Sequence, residues 1–262
     1  MRFFMLSDFH LGQEDVLENA KEQMMNLCAR IRSDISPDEV ILFILMGDIV
    51  NKSDIGAFAD AKVCLDCIRD GLTGLSVKFE FVPGNHDIPA GNILPFDRFI
   101  AEYNPSCSFS NSGAYSVVYE DVNFIFAESN MLRDHRLPGK IDLEAIRHEI
   151  KPIKNILFCH HGFEQSYGGD HDTVNDAGAV LNTLKDMGID FVFHGHTHRS
   201  EASFTKNGIV EIGCGTIQGD ISQMDGIQNQ FSVGYIRDKN IINVDRFVIS
   251  KDGGGVFPKE TI

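Results

Sequence analysis

A chain of 262 residues with 43% hydrophobic content can bury a sizeable α/β core within one domain. A formal net charge of -15 and the absence of tryptophan weigh against long nucleic acid as a partner, because the surface repels a polyanion and lacks a common base-stacking platform. The apolar runs are of strand length, Phe3 to Leu6 is too short for the apolar part of a signal peptide, and six dispersed cysteines lack the rhythm of a disulfide scaffold, so a cytoplasmic protein with reduced thiols and no membrane association is expected.

Met1 to Leu6 reads as a buried strand that runs into Ser7-Asp8-Phe9-His10. Val16, Ala20, Met24, Leu27, Cys28 and Ile31 recur at helical spacing and predict a helix over Asp15 to Arg32, ending near Ser36-Pro37. A second strand, Val40 to Met46, runs into Gly47-Asp48-Ile49-Val50-Asn51, and Gly56 to Leu72 is a second amphipathic helix. Cys64 and Cys67 form a C-x-x-C inside that helix with no second pair, which reads as two small residues on one helix face. The apolar run through Phe79 to Val82 then stops at Pro83-Gly84-Asn85-His86-Asp87. Strand, helix, strand, helix, strand predicts a βαβαβ unit with a parallel sheet.

Ile93 to Tyr103 is predicted helical, and Ala114 to Tyr119 and Val122 to Ala127 form a hairpin about Glu120-Asp121. Arg133 to Lys140 is a charged loop, Asp142 to Glu149 a short helix, and Ile153 to Cys159 a strand leading into His160-His161-Gly162. Val174 to Met187 is a helix, Ile189 to Phe193 a strand leading into His194-Gly195-His196-Thr197-His198, and Asn207-Gly208 a hairpin turn. Gln230 to Ile249 gives two strands around Asp238-Lys239-Asn240. The expected organisation is one domain over residues 1–250 and a flexible tail over 251–262, with two sheets face to face and helices outside.

Five buried-strand patterns thus each end in oxygen or nitrogen ligands, the pattern of a single site beyond the carboxyl ends of a sheet, and the set reads as a two-metal centre. Asp8 and His10, two apart on an extended backbone, point to one side; Asp48 can bridge; Asn85 offers a neutral oxygen; His160, His196 and His198 complete the set. Imidazole and carboxylate without thiolate suit Mn, Fe, Zn or Co better than Ca or an isolated Mg.

Asp8-Phe9-His10, Gly47-Asp48, Gly84-Asn85-His86-Asp87, His160 and Gly195-His196-Thr197-His198, in that order, resemble the motif blocks of the calcineurin-like metallophosphoesterases. The resemblance spans residues 1 to about 216, and Gly47-Asp48-Ile49-Val50-Asn51 with His160-His161 is similar to the small bacterial phosphodiesterase branch. It implies a four-layer αββα sandwich of two mixed sheets. It also implies a first metal on Asp8, His10, Asp48 and His198 and a second on Asp48, Asn85, His160 and His196, with a bridging hydroxide that attacks phosphorus. His86 is then the group that protonates or stabilises the leaving oxygen, with Asp87 orienting it.

The expected substrate is a small phosphodiester, such as a cyclic nucleotide, or a monoester; a nuclease of the same superfamily and a non-catalytic metal-binding scaffold are the alternatives. His160 is taken as the ligand of the double histidine, leaving His161 behind it or facing substrate. His194 reads as a packed strand-end residue, His135 and His148 as solvated, and the 167–172 and 218–230 loops as connections that could border a cleft.

Overall fold

Alternation along the first strand decides the architecture. In β1 (Arg2–Leu6), Phe3 and Met5 point to one face and Phe4 and Leu6 to the other, and all four are buried. A strand apolar on both sides must lie between two layers. On one side Phe4 stacks on Phe43 of β2 (Val40–Leu45), and Phe43 on Phe79 of β3 (Ser76–Phe81), with ring centroids 5.3 and 5.7 Å apart. Tyr103, just past α3 (Leu94–Ile100), closes over Phe79 and hydrogen-bonds Asp66 of α2 (Ile55–Gly71). On the other side Phe3 meets the edges or faces of Phe124, Phe193 and Phe158 at 5.2, 5.9 and 6.2 Å.

The computed structural model describes residues 1–13, 16–88, 92–131, 137–164, 173–218, 229–237, 240–249 and 256–261. Phe124 belongs to β5 (Val122–Ala127), Phe158 to β6 (Lys154–Phe158) and Phe193 to β7 (Ile189–His194), all in a second sheet that also holds β4 (Ala114–Tyr119), β8 (Ala202–Phe204) and β9 (Val210–Gly213), in the order β4-β5-β6-β7-β9-β8. The alternate residues Ile125, Leu157 and Val192 face away from the first sheet and pack with Ile146 of α4 (Leu143–Glu149) and Leu181 and Leu184 of α5 (Ala177–Asp186). The first sheet runs β12-β11-β10-β1-β2-β3, where β10 (Gln230–Arg237), β11 (Asn240–Ile249) and β12 (Val256–Thr261) add antiparallel strands to the parallel β1-β2-β3 unit. With α1 (Val16–Asp34) packed beside α2, the layers are helices, mixed sheet, mixed sheet, helices: an αββα sandwich. No helix among the described residues is long and apolar enough to cross a membrane.

Register places the functional loops at one end. Leu6, Leu45 and Phe81 are neighbours across the three parallel strands, and Phe158 lies opposite Phe193 in the second sheet. The loops that follow therefore leave the sandwich at a common level. Glu120 and Asp121 both adopt positive φ (48° and 63°), as a two-residue hairpin turn requires.

Three expectations are corrected. The helix after Ile93 is shorter than predicted because Pro95 starts it and turns take over after Ile100. Helix α5 begins at Ala177, since Asp176 just before it is left-handed (φ 53°) and cannot continue a right-handed helix upstream. The expected tail contains strand β12, which pairs with the edge that β11 would otherwise leave open; residues 251–255 and 262 lie outside the described residues. A further feature had no sequence signal: Glu80, on the inter-sheet face of β3, accepts bonds from Tyr119 (2.6 Å), Tyr115 (3.0 Å) and Asn104 (2.9 Å), tying edge strand β3 to edge strand β4. Burial raises its pKa even against these bonds.

Phe3 is the ring on which the inter-sheet packing converges, so Phe3→Ala should destabilise the protein by about 3–5 kcal/mol in urea unfolding. A cost near zero would show that the second sheet does not depend on this contact.

Candidate metal centre

The loops after β1, β2 and β7 turn through left-handed residues that no extended chain would use. Asp8, His10, Asp48, His196 and His198 have φ of 56°, 49°, 49°, 64° and 58°, making up five of the eight non-glycine residues with positive φ among the described residues. Left-handed backbone costs a residue with a Cβ on the order of 1 kcal/mol or more, and strain of this kind collects where a site needs it. Asp8 and His10 therefore do converge, but not by the extended backbone expected of them: β1 ends at Leu6, and the side chains are turned inward by two left-handed residues.

The strained turns are held by one another. The Asp8, His10 and Leu11 N–H groups donate to the carbonyls of Gly47, Asp48 and Ile49, each at 3.0 Å, so the loops after β1 and β2 run side by side. Gly47 has φ +93°, and a Cβ there would meet the His160 ring and come within 2.8 Å of Gly84 Cα; a Cβ on Gly84 would collide with Asp48. Both glycines let three loops touch at backbone distance.

Within this frame the predicted ligands meet in overlapping groups: Asp8 with His10 and His198, Asp48 with His160 and His196, and His10 with Asp48 and His86. His198 Nε2 lies 3.2 Å from Asp8 Oδ1 and 3.2 Å from His10 Nε2. Asp8 Oδ2 is already occupied by the Ser7 hydroxyl (2.5 Å) and the His196 N–H (3.1 Å), so Oδ1 is the oxygen turned to the imidazoles. Asp48 Oδ1 accepts the His86 N–H at 2.9 Å while Oδ2 sits 3.4 Å from His160 Nε2, which is also 3.1 Å from Asn85 Oδ1. His160 gives its Nδ1–H to the Met46 carbonyl (2.8 Å), which leaves the Nε2 lone pair facing the oxygens. Asp8, Asp48 and His160 form a buried floor, and His10, Asn85, His86, His196 and His198 are half-buried at its open side.

The donor set fits cations. Asp8 Oδ1 is buried without a hydrogen-bond partner, and the Nε2 atoms of His10 and His198, facing one another and that oxygen, suit a positive ion at their centre. Burial alone would raise the pKa of Asp8, but His198 and then His160 outweigh it and bring it down to about 2. Asp48 is held well below the usual carboxylate range in the same way, burial being outweighed by His160 and His86. For His160, burial opposes the charge, yet Asp48 and Asp8 push its pKa up to about 9. The carboxylates thus keep their negative charge at depth, where a proton or a cation on the imidazole side must answer it.

Around this set lie residues whose roles differ from expectation or were not foreseen. Asp87 was expected to orient His86; its oxygens instead accept the Val50 N–H (3.0 Å) and the Gly84 N–H (2.8 Å), tying the β2 and β3 loops together. The His86 ring donates Nδ1–H to the Asn51 carbonyl at 2.7 Å, a main-chain contact that a motif does not reveal. His161 lies behind its neighbour: Ser129 Oγ accepts the His160 and His161 N–H groups (3.2 and 3.0 Å), so its own hydrogen goes to His161 Nδ1 at 2.9 Å. The His161 ring centre is 4.4 Å from that of His196, and burial with these flanking imidazoles holds its pKa well below the ordinary value. Thr216 Oγ1 donates to the Asp8 carbonyl (2.9 Å) and Asn130 Nδ2 to that of Pro83 (2.7 Å). His194 is buried at the end of β7 and His148 is exposed; His135, residues 167–172 and residues 219–228 lie outside the described residues.

A sandwich of this topology with this donor set at one end agrees with the family comparison: the calcineurin-like phosphoesterase model matches residues 1–200, and the chain belongs to that family. Among solved structures it is similar to a dimetal phosphatase from Danio rerio, at 13% identity over 98% of each chain with a TM-score of 0.66. It is also similar to GAP50, described as the anchor in the inner membrane complex of Plasmodium, at 13% identity over 99% of this chain and 88% of that one with a TM-score of 0.57. These two likenesses are of fold. No curated protein gives a significant match.

Because Asp87 accepts two buried backbone N–H groups, Asp87→Ala should cost about 2–6 kcal/mol, at about 1–3 kcal/mol for each donor left unpaired. Urea unfolding of the metal-free protein measures it, and an unchanged midpoint would refute the tethering role.

Proposed function

We propose that this chain is a dinuclear-metal-dependent phosphoric ester hydrolase acting on a small phosphodiester, such as a cyclic nucleotide, or on a monoester. The observation that carries the reading is the convergence of Asp8, His10 and His198 on one side and His160 and His196 on the other, with Asp48 belonging to more than one group. Asp8, His10, Asp48 and His198 would hold one cation, and Asp48, Asn85, His160 and His196 the other. Bound there, a cation pair supplies Lewis acidity toward phosphoryl oxygens and makes water a nucleophile near neutral pH. Manganese, iron, zinc and cobalt all suit these donors.

His86 acts from the rim. Its Nδ1–H is taken by the Asn51 carbonyl, so Nε2 is the nitrogen left to carry a proton toward the leaving oxygen. The half-buried side of the site admits a phosphoryl group, and the net charge of -15 favours a small phosphorylated substrate over a polynucleotide. We place this activity in the cytoplasm. One finding favours a second reading: a protein of this fold is described as an anchor. Retention of the complete donor set and of His86 supports the enzyme instead.

Turnover of bis(p-nitrophenyl) phosphate, p-nitrophenyl phosphate, cyclic nucleotides and oligonucleotides by Mn-loaded protein tests the proposal. Absence of turnover on all of them, with metal bound, points to the scaffold; a salt-sensitive preference for oligonucleotides points to a nuclease. Asp48→Ala should lose at least one metal ion per chain by elemental analysis, and full occupancy would reject the shared-ligand assignment. His86→Ala should keep its metal and slow hydrolysis of alkyl esters by roughly 10²- to 10⁴-fold, with a smaller loss for a p-nitrophenolate leaving group. Equal losses on both substrates would argue against the proton-donor role.

A further inference from the structure

A second buried acid lies close to the centre without touching it. Glu211 in β9 sits opposite Val192 of β7 and is fully buried on the helix-covered face of the second sheet, where neighbouring positions are apolar. A buried carboxylate is expensive unless its bonds are made. Here they are made to main chain: Oε1 accepts the Phe163 N–H at 2.5 Å and Oε2 the Glu164 N–H at 3.1 Å. A further neighbour is His194, also fully buried, whose Nε2 lies 3.5 Å from Oε1.

These contacts join the two segments that carry imidazoles of the second group. Phe163 and Glu164 end the turn that begins at His160, and His194 precedes Gly195-His196 by one residue. Gly162 is seated on the pair: a Cβ there would come within 2.9 Å of Glu211 Oε1 and 3.0 Å of His194 Cε1. The segment is fixed from its other side by the Val174 N–H, which donates to the Gly162 carbonyl. Asp8 and His10 hang from β1 and are held mainly by the β2 loop; the β7 loop reaches them through the His196 N–H on Asp8 Oδ2 and through His198, so the first group depends on this clamp less directly than the second.

We propose that Glu211 is a positioning residue for the second metal group, fixing the spacing of His160 and His196 through the Phe163–Glu164 backbone and His194. This rests on the two-metal reading above. The clamp explains why an acid occupies an otherwise apolar position: a methylene chain could fill the volume, but it could neither accept from two consecutive N–H groups nor offer an oxygen to an imidazole.

The test is calorimetric titration of the whole metal-free chain with Mn²⁺ alone, paired with amide hydrogen exchange, for wild type, Glu211→Gln and Glu211→Leu. The wild type should take up two ions. Glu211→Leu should weaken the second binding step about tenfold or more, as loss of partners behind metal ligands does, with the first step changed less than about twofold; Glu211→Gln, which keeps one acceptor, should fall between. Exchange at the Phe163 and Glu164 amides should accelerate while that in β1 does not. Equal weakening of both steps, or an unchanged second step despite faster exchange, overturns the proposal by making Glu211 a fold residue only. If Glu211→Leu does not fold, the Gln variant decides by the same criteria. A wild type that binds fewer than two ions overturns the two-metal reading, and this inference with it.

Discussion

Two carboxylates, Asp8 and Asp48, are buried in the floor of one site, and the remainder of the structure is arranged around that cost. Ionised groups at such depth are tolerated only when hydrogen bonds and opposite charge answer them. Each aspartate receives a backbone N–H from a different strand's loop, Asp8 from His196 and Asp48 from His86, so neither is satisfied by its own segment alone. The loops after β1, β2, β3 and β7 must therefore meet, and they can meet only if their strands end at one level. The in-register parallel pairing of Leu6, Leu45 and Phe81 is what makes that geometry available.

Backbone strain is the second consequence. A chain leaving a parallel strand heads away from the sheet, whereas these side chains must return over its end. Left-handed residues at Asp8, His10, Asp48, His196 and His198 make that reversal, at a cost the loop-to-loop hydrogen bonds offset. The fold below is rigid enough to hold such turns because its inter-sheet layer is a set of interlocked phenylalanines with few alternative packings.

This division explains what could be read in advance. Strand ends, crossover helices and the candidate ligand residues are local: hydrophobic period marks the strands, and each candidate block follows an apolar run. Hence the five blocks from Asp8 to His198 were legible with the αββα order, and the β4–β5 hairpin was bounded to the residue. The partners that orient them are not local. Ser129 lies 32 residues before His161 in the chain, Asn51 acts through a carbonyl that every residue possesses, and Glu211 lies 48 residues after Phe163. Asp87 shows the same limit from the opposite side. Adjacency to His86 suggested an orienting carboxylate, but its side chain reaches back to Gly84 and across to Val50. Strand β12 was missed because an edge position is decided by an available partner, here β11, more than by the segment's own pattern.

The histidines show how far residue identity goes toward chemistry. His160, His86 and His161 share a side chain and stand on neighbouring loops, yet their rings are set differently by single acceptors or donors: the Met46 carbonyl, the Asn51 carbonyl and the Ser129 hydroxyl. The first two force the proton onto Nδ1 and turn Nε2 toward the carboxylates or the rim; the third places the proton on Nε2 and withdraws Nδ1 from the site. A carbonyl can only accept, so it fixes which nitrogen of the neutral ring carries the proton, while a hydroxyl already accepting from two amides can only donate. One residue type is thereby set in three different ways, and the division is made by backbone groups and one serine that carry no mark in the motif.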